Sequence, residues 1–152
     1  MTIPQQEPVT GREASDPATP LGALAEFYRA FNGRDLGLMA RNWLDTDEAA
    51  MDNPLGGIKR GWDEIREVYR RVFSGSATVM VEFFDYTLHE SGDTFLAVGR
   101  ERGTLERADT RIELRIRTSR WFRRMDGRWR QLHHHGSIDD ADLLARYQEA
   151  VR

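Results

Sequence analysis

The stretch FYRAFNGRDLGLMARNW, residues 27–43, carries two helix patterns separated by a short turn. In the first, apolar side chains recur at helical spacing from Leu21 and stop at Asn32-Gly33, where a left-handed helix cap forms easily. In the second, Asp35 can cap a shorter helix whose apolar positions again fall on one face. The core-facing positions predicted for this helical pair are Leu24, Phe27, Tyr28, Phe31, Leu36, Met39, Ala40 and Trp43.

The residues after this pair predict a third helix and then a run of strands. The step Asn53-Pro54 marks a turn, and a helical apolar pattern runs from Trp62 to Phe73. The period then changes to two, which is typical of antiparallel strands. The predicted strands cover residues 78–88, 94–105, 111–124 and 128–137.

Short connections between the strands indicate a meander of hairpins. Residues 90–93 and 125–127 have the composition of turns, and three acidic residues after the last strand precede the apolar positions of a terminal helix. Helices followed by consecutive strands predict an α+β fold. Because strands of about ten residues or more generally bend, we expect the sheet to curl around the helices and to leave a cavity between the layers.

Composition and charge predict one domain and exclude several partner classes. The chain of 152 residues suffices for one hydrophobic core, which we place in residues 21–152, whereas proline-rich residues 1–20 predict a disordered tail. The absence of cysteine excludes disulfides, thiolate catalysis and Cys-ligated zinc. A net charge of -3 gives no reason to expect nucleic acid, and no apolar run suits a membrane span or a secretory signal, so we expect a cytoplasmic protein.

Three segments of the chain resemble one protein family. Residues 27–43 and NPLGGIKRGWDEIREVY, residues 53–69, resemble the opening of SnoaL-like and ketosteroid isomerase-like members of the nuclear transport factor 2-like superfamily. The segment TSRWFRRMDGRWRQLHHHGS, residues 118–137, resembles the last hairpin of SnoaL-like proteins and of the association domain of calcium/calmodulin-dependent kinase. The resemblance implies a cystatin-like cone, in which a curved antiparallel sheet wraps around three helices. It also implies a homodimer that forms through the outer face of the sheet.

The resemblance does not extend to the catalytic residues of ketosteroid isomerases. Those enzymes use a carboxylate base, a tyrosine and a protonated aspartic acid. In this chain the tyrosine position falls on Phe27, with Tyr28 beside it as the available hydroxyl. The Asp-Pro step of the base is replaced by Asn53-Pro54, and the position of the protonated aspartic acid is Arg120. An enzyme with this sequence would therefore need other acid-base residues.

The strand pattern singles out Arg120. Ile112, Leu114 and Ile116 fix the core-facing phase of the third strand, and Arg120 shares that phase. A guanidinium buried in this way costs several kcal/mol unless it is paired. It therefore requires either a carboxylate of the protein, for which Glu101 is the expected partner, or an anionic or carbonyl group of a ligand.

The run His133-His134-His135 offers imidazoles, which can transfer protons near neutral pH. Strict alternation along the last strand places His133 and His135 on the face that also carries Gln131, and His134 on the other face. We therefore predict that His133 and His135, together with Tyr28, are the candidate catalytic residues. The two histidines would supply only two metal ligands, and the sequence identifies no third, so we predict no metal and no cofactor.

Aromatic side chains and polar groups complete the predicted pocket, because aromatic residues at helical spacing usually pack in a core or a pocket wall. The predicted ligand-binding residues are Arg120, Glu101, Asn53, Trp43, Trp62, Tyr69, Phe73 and Phe122. The leading hypothesis is a SnoaL-like protein that binds a small, partly apolar molecule with an anionic or carbonyl group and acts on it by acid-base chemistry. The alternative is a non-catalytic ligand-sensing or oligomerisation module that resembles the kinase association domain.

Overall fold

A computed structural model of the chain describes residues 7–152, which fold into helices on one side of a long sheet. The helices are α1 Pro20–Asn32, α2 Leu36–Asn42, α3 Trp62–Ser74 and α4 Ala141–Ala150. The strands are β1 Ala50–Asp52, β2 Lys59–Arg60, β3 Thr78–Ser91, β4 Thr94–Arg107, β5 Thr110–Met125 and β6 Arg128–Ser137. The predicted helices and the four long strands are confirmed, and their ends differ from the predicted ends by only a few residues.

Side-chain caps fix where three of the helices begin. The Thr19 hydroxyl accepts a hydrogen bond from the Gly22 N–H at 3.0 Å, and Pro20 occupies the first turn of α1, where a missing N–H costs nothing. Asp35 caps α2, as predicted, and Asp140 caps α4; each accepts a backbone N–H three residues later at 3.0 Å. These bonds satisfy N–H groups that have no partner inside the helix.

The sheet is open and curved, and its strand order is β2-β1-β6-β5-β4-β3. β3 to β6 form the predicted antiparallel meander, which confirms that part of the fold. β1 runs parallel to β6, and β2 pairs antiparallel with β1, so the sheet contains one parallel pair that the sequence did not predict. Strands of three and two residues are too short to show an alternating pattern, which is why the sequence did not reveal them.

Two irregularities bend the long strands. The register of β3 against β4 shifts between Phe84 and Thr87, and Asp85 in this segment has a φ of 49°. The register of β6 against β5 shifts at Leu132, which is left without a partner on β5. An extra residue in one strand increases its bend and also reverses the face on which every later side chain lies.

Residues 7–19 pack against the domain, in contrast to the disordered tail predicted for residues 1–20. Val9 is 3% exposed and exchanges two backbone hydrogen bonds with Phe83, at 2.8 and 2.9 Å, along the free edge of β3. The Trp129 N–H also donates to the Pro17 carbonyl oxygen at 2.8 Å. The composition is poor in apolar residues, but an open strand edge supplies the hydrogen bonds that hold this segment. Residues 1–6 lie outside the described residues.

The helices and the concave face of the sheet share one hydrophobic core. Its largest fully buried aromatic residues are Trp43, Trp129, Tyr28, Phe27, Phe83, Phe95 and Phe122. α4 adds Tyr147, which is 6% exposed, so that four helices and not three cover the concave face. Within residues 7–152, no helix is both long enough and apolar enough to cross a membrane.

Candidate functional site

Arg120 lies on the concave face of β5, between Ala97 of β4 and His134 of β6. Only 3% of its surface is exposed. The inward orientation that the sequence predicted is therefore confirmed. A guanidinium in this position needs a counter-charge and several hydrogen bonds, because moving an unpaired ion out of water costs several kcal/mol.

Glu101 of β4 supplies the counter-charge. Its Oε2 atom lies 2.9 Å from Nη2 of Arg120 and also accepts a hydrogen bond from the hydroxyl of Tyr28. Nε of Arg120 donates to the same hydroxyl at 3.2 Å, which closes a triangle of hydrogen bonds. The predicted ion pair is thus confirmed. The Tyr28 hydroxyl is engaged on both sides within this triangle, and its catalytic role stays a prediction.

The other side of the guanidinium is held by residues that sequence reasoning missed. Nη1 of Arg120 donates to Oε1 of Gln131 at 2.8 Å, and Nε2 of Gln131 donates to Oδ1 of Asn42 at 3.0 Å. Asn42 in turn donates to Glu26, which also pairs with Arg128 at 2.6 Å. The sequence could have indicated these residues, because each is a polar side chain at a position whose periodicity faces the core. We call the connected set the buried polar network; its members are Tyr28, Glu101, Arg120, Gln131, Asn42, Glu26 and Arg128.

Burial and charge fix the protonation states inside this network. The guanidinium carbon of Arg120 lies 3.6 Å from the ring centroid of Phe27, a cation-π contact at the position that the resemblance assigned to a tyrosine. Burial raises the pKa of Tyr28 well above its ordinary value, although the charge of Arg120 acts against the rise. Burial acts to lower the pKa of Arg120, but Tyr28 and Glu101 raise it by a larger amount. Tyr28 is therefore a phenol and Arg120 a cation at physiological pH.

Arg120 and Glu101 reach a cavity of about 50 Å³ between the sheet, α3 and α4. Asn53 and Tyr69 also line this cavity, as predicted. The rest of its wall is mostly apolar and includes Phe31, Met51, Leu55, Val68, Ile116 and Tyr147. Such a volume suits one or a few water molecules, whereas pockets for drug-sized ligands measure about 300–1,000 Å³.

Several aromatic side chains predicted to line the pocket pack elsewhere in the core. The predicted site residues that do not line the cavity are Trp43, Trp62, Phe73, Phe122 and Tyr28. Phe122 stacks on Phe95 with ring centroids 4.6 Å apart, and Phe73 packs on Tyr69 at 5.8 Å. The prediction is wrong for these residues because the spacing of apolar residues identifies a core-facing side chain but not the depth that it reaches.

The bulge at Leu132 reverses the predicted orientation of the histidines. Gln131 faces the core before the bulge, and His134 faces it after the bulge. His133 and His135 consequently point away from the cavity, and their predicted role as acid-base residues in the pocket is wrong. The histidine in the cavity wall is His134.

His133 and His135 instead tie β1 to β6. Nδ1 of His133 lies 2.8 Å from the carbonyl oxygen of Ala50, and Nδ1 of the exposed His135 lies 3.0 Å from a carboxylate oxygen of Asp52. In the part of the chain that the structure describes, no three His, Cys, Asp or Glu side chains are grouped closely enough to hold a metal. The two histidines therefore have a structural explanation.

His134 is a neutral imidazole, and only one of its two nitrogens has a hydrogen-bond partner among residues 7–152. Its Nδ1 atom lies 3.3 Å from the carbonyl oxygen of Ser119, which can only accept, so Nδ1 carries the proton. Nε2 is then an unprotonated acceptor on a ring that lines the cavity. Burial lowers the pKa of His134 well below its ordinary value of 6.5, and the charge of Arg120 lowers it further.

Two phenols complete the polar part of the cavity wall. Burial raises the pKa of Tyr69 on α3 to about 12, although the nearby Arg120 acts to lower it. Burial, with the charge of Glu101, also raises the pKa of Tyr147 on α4. Both side chains remain protonated at physiological pH, and both can donate a hydrogen bond to a molecule in the cavity.

The neutral state of His134 makes a testable contribution to acid sensitivity. The unfolded chain takes up a proton at this residue near pH 6.5, and the folded chain does not. The free energy of unfolding therefore falls as the pH drops below about 6.5, by up to about 1.4 kcal/mol per pH unit. The variant His134→Gln should flatten this slope in urea unfolding between about pH 7.5 and pH 5. His89→Gln, at an exposed histidine, should keep the wild-type slope. Equal slopes in His134→Gln and wild type would contradict a buried neutral imidazole.

Comparisons with known proteins agree with this architecture. Residues 21–141 match the family of SnoaL-like domains. A comparison with curated proteins finds no match. The solved structures to which the chain is similar include a protein from Streptomyces avermitilis named as a dehydratase of the NTF2-like family, with 20% identity and a TM-score of 0.71 over 78% of this chain and 92% of that one.

Two further structures give the same result. A protein from Thiobacillus denitrificans named as a calcium/calmodulin-dependent protein kinase type II association domain is 25% identical, with a TM-score of 0.65 over 80% of this chain and 96% of that one. An NTF2-like superfamily protein from Salmonella enterica serovar Typhimurium is 19% identical, with a TM-score of 0.68 over 78% and 89% of the two chains. The chain therefore belongs to the family of SnoaL-like domains, as its sequence predicted, and it shares its fold with structures named NTF2-like.

Proposed function

We propose that this SnoaL-like domain binds a small, partly apolar molecule with a carbonyl group in the cavity and transfers a proton to or from it. The observation that carries the proposal is the meeting of Glu101, His134 and two phenols around one buried space beside a fixed cation. Titratable groups with strongly perturbed pKa values are concentrated at sites of acid-base chemistry. The family supports a general ligand-binding or isomerase-type role.

Glu101 is the proposed base. Its Oε2 atom accepts hydrogen bonds from Arg120 and Tyr28, whereas its Oε1 atom has no hydrogen bond within residues 7–152. Two fixed donors on one oxygen orient the carboxylate and leave the other oxygen to accept a proton from a bound molecule. Nε2 of His134 is a second acceptor in the same wall and would receive or relay the proton.

The donors in the cavity wall suit a carbonyl oxygen. Negative charge develops on that oxygen when a proton is removed from the adjacent carbon, and fixed donors stabilise it. Tyr69 and Tyr147 can each donate a hydroxyl proton, and Asn53 contributes an amide. Arg120 has five N–H groups, of which three are engaged in the buried polar network, so that two remain.

The ion pair favours one of the two ligand groups that the sequence left open. Glu101 already balances the charge of Arg120 at 2.9 Å. An anionic group placed beside Arg120 would also lie close to the Glu101 carboxylate, and like charges repel strongly at such a distance in a buried site. A neutral carbonyl group avoids this repulsion, and we therefore assign the carbonyl and not the anion to the cavity.

Binding of such a molecule requires the cavity to enlarge. Its volume of about 50 Å³ is below that of a small ketone. Tyr147 of α4 and Leu55, in the segment between β1 and β2, form part of the wall and belong to elements near the surface. Displacement of these side chains would extend the cavity without disturbing the ion pair, because neither residue bonds to Arg120 or Glu101.

Proton exchange tests the proposed chemistry. In heavy water the protein should accelerate the exchange of hydrogens next to the carbonyl in a panel of small cyclic ketones and enones, such as cyclopentanone and cyclohexenone, followed by proton NMR. Glu101→Gln keeps the shape of the side chain but removes the base, and should slow this exchange by about 10²–10⁴-fold. The exposed Glu106→Gln variant is the matched control and should retain the wild-type rate.

Two results would contradict this proposal. One is wild-type exchange in Glu101→Gln. The other is the absence of acceleration for the whole panel together with no small molecule retained by the protein in native mass spectrometry after purification from its own host.

A second candidate function is a non-catalytic ligand-sensing or oligomerisation module. The small cavity volume favours it, as does the neutralisation of the Arg120 charge by Glu101, which is also the geometry of a purely structural ion pair. The similar structure from Thiobacillus denitrificans is named as an association domain. This candidate differs from the first in requiring no proton exchange.

We further propose that the chain forms a homodimer through the outer face of the sheet. Leu96 and Trp121 lie directly opposite each other on β4 and β5, and Val98 follows on the same face. These three apolar side chains are 36–40% exposed and occupy neighbouring positions of the two strands. A two-fold contact would place the same patch of both subunits against each other and remove it from water.

Trp121→Glu should convert the dimer into a monomer, because a charge at the centre of a two-fold contact would lie close to its own symmetry mate. Light scattering coupled to size-exclusion chromatography measures the change in mass. Ile58→Glu is the matched control, since Ile58 is also an exposed apolar residue but lies outside the long strands, and it should leave the mass unchanged. A monomeric wild type, or a dimer that persists in Trp121→Glu, would contradict the proposed contact.

A further inference from the structure

An open pocket of about 500 Å³ adjoins the cavity. The two spaces share the lining residues Asn53, Leu55, Val68 and Val72, which therefore lie where the spaces meet; we call these four side chains the partition. α4 contributes to both sides, because Tyr147 lines the cavity and the next residue lines the open pocket. We call the open pocket the vestibule.

The vestibule is positively charged. Lys59 of β2, Arg71 in the last turn of α3 and Arg152 line it, and no Asp or Glu does so within the described part of the chain. In a protein with 25 acidic and 22 basic residues, a wall that carries only cations departs from the average surface. A concave pocket lined by one sign of charge concentrates ligands of the opposite sign.

The existing ion pairs leave most of this charge available. Nε of Arg71 lies 3.5 Å from Glu67, and Arg152 lies 2.9 Å from Glu149; all four side chains are well exposed. Exposed pairs of this kind contribute little energy and exchange readily with a competing anion. Lys59 has no ion pair with any described residue.

We infer that the natural ligand is an amphipathic anion. Its carboxylate or phosphate group stays in the vestibule at Lys59 and Arg71, and its carbonyl-bearing apolar end passes the partition into the cavity. This inference rests on the proposed function, which places a carbonyl group beside Glu101. It also explains where the anionic group can bind, since the ion pair of Arg120 excludes it from the cavity.

The partition is built so that it can open. Nε2 of Gln148 donates to the carbonyl oxygen of Pro54 at 3.3 Å, a bond that joins α4 to the segment carrying Leu55. Gly56 and Gly57 follow with φ of 105° and 76°, and no atom lies within 4 Å of the place where either would carry a side chain. The two residues after Leu55 therefore have open space around them, which allows this segment to move when a ligand enters.

We expect the protein to distinguish between ligands of the same shape by their charge. Octanoate, octanamide and octylammonium have chains of the same length, and octyl phosphate supplies the alternative anion. Titrations followed by protein NMR should show that octanoate or octyl phosphate binds at least tenfold more tightly than octanamide, that octylammonium binds least, and that added salt weakens only the anions. The tighter of the two anions identifies the natural head group as carboxylate or phosphate.

Matched variants locate the effect. The double variant Lys59→Gln, Arg71→Gln should weaken binding of the preferred anion at least tenfold and leave octanamide unchanged. Arg146→Gln, which removes an exposed arginine of α4 outside the vestibule, should change neither. Circular dichroism of the double variant, expected to match wild type because both side chains are at the surface, separates loss of binding from loss of folding.

The outcomes separate this inference from the proposed function. The anionic vestibule would be overturned by equal affinity for octanoate, octyl phosphate and octanamide, or by unchanged anion binding in the double variant. In either case, NMR shifts at Tyr69 and Tyr147 would still support a ligand in the cavity. If none of the probes shifts the signals of Tyr69 and Tyr147, the cavity does not open to an apolar chain, and both the inference and the proposed ligand site are overturned.

Discussion

The ion pair between Arg120 and Glu101 is the interaction on which the site depends. Two opposite charges lie 2.9 Å apart at positions that are 3% and 5% exposed, where either one alone would be strongly unfavourable. Tyr28 of α1 and Gln131 of β6 complete the hydrogen bonds of the pair. One charge pair thereby connects the first helix with three neighbouring strands and holds the part of the cavity wall that these strands form.

The same pair determines which chemistry the cavity permits. Because Arg120 is neutralised, the cavity wall carries no net charge from the pair, and the groups proposed to react are Glu101, His134 and two phenols. These groups suit proton transfer on a neutral carbonyl compound. In the proposed arrangement, recognition of the charge of a ligand belongs to the vestibule, which Lys59 and Arg71 line.

Local patterns predicted this interaction but not the residues around it. The alternation of apolar residues along β5 was enough to place Arg120 in the core. The energetic cost of an unpaired buried charge was enough to require a carboxylate partner, which identified Glu101. A single bulge at Leu132 was enough to exchange His133 and His135 for His134. Such a bulge arises from pairing with the neighbouring strand, and alternation within one strand carries no sign of it.

A double-mutant cycle on the ion pair tests the central claim most directly. Arg120→Met and Glu101→Leu should each lower the free energy of unfolding in urea by about 3–5 kcal/mol, because each leaves the other charge buried without a partner. The double variant removes both charges and should be more stable than either single variant. Losses that simply add in the double variant would show that the two side chains do not form a buried pair, and the account of the site would fail.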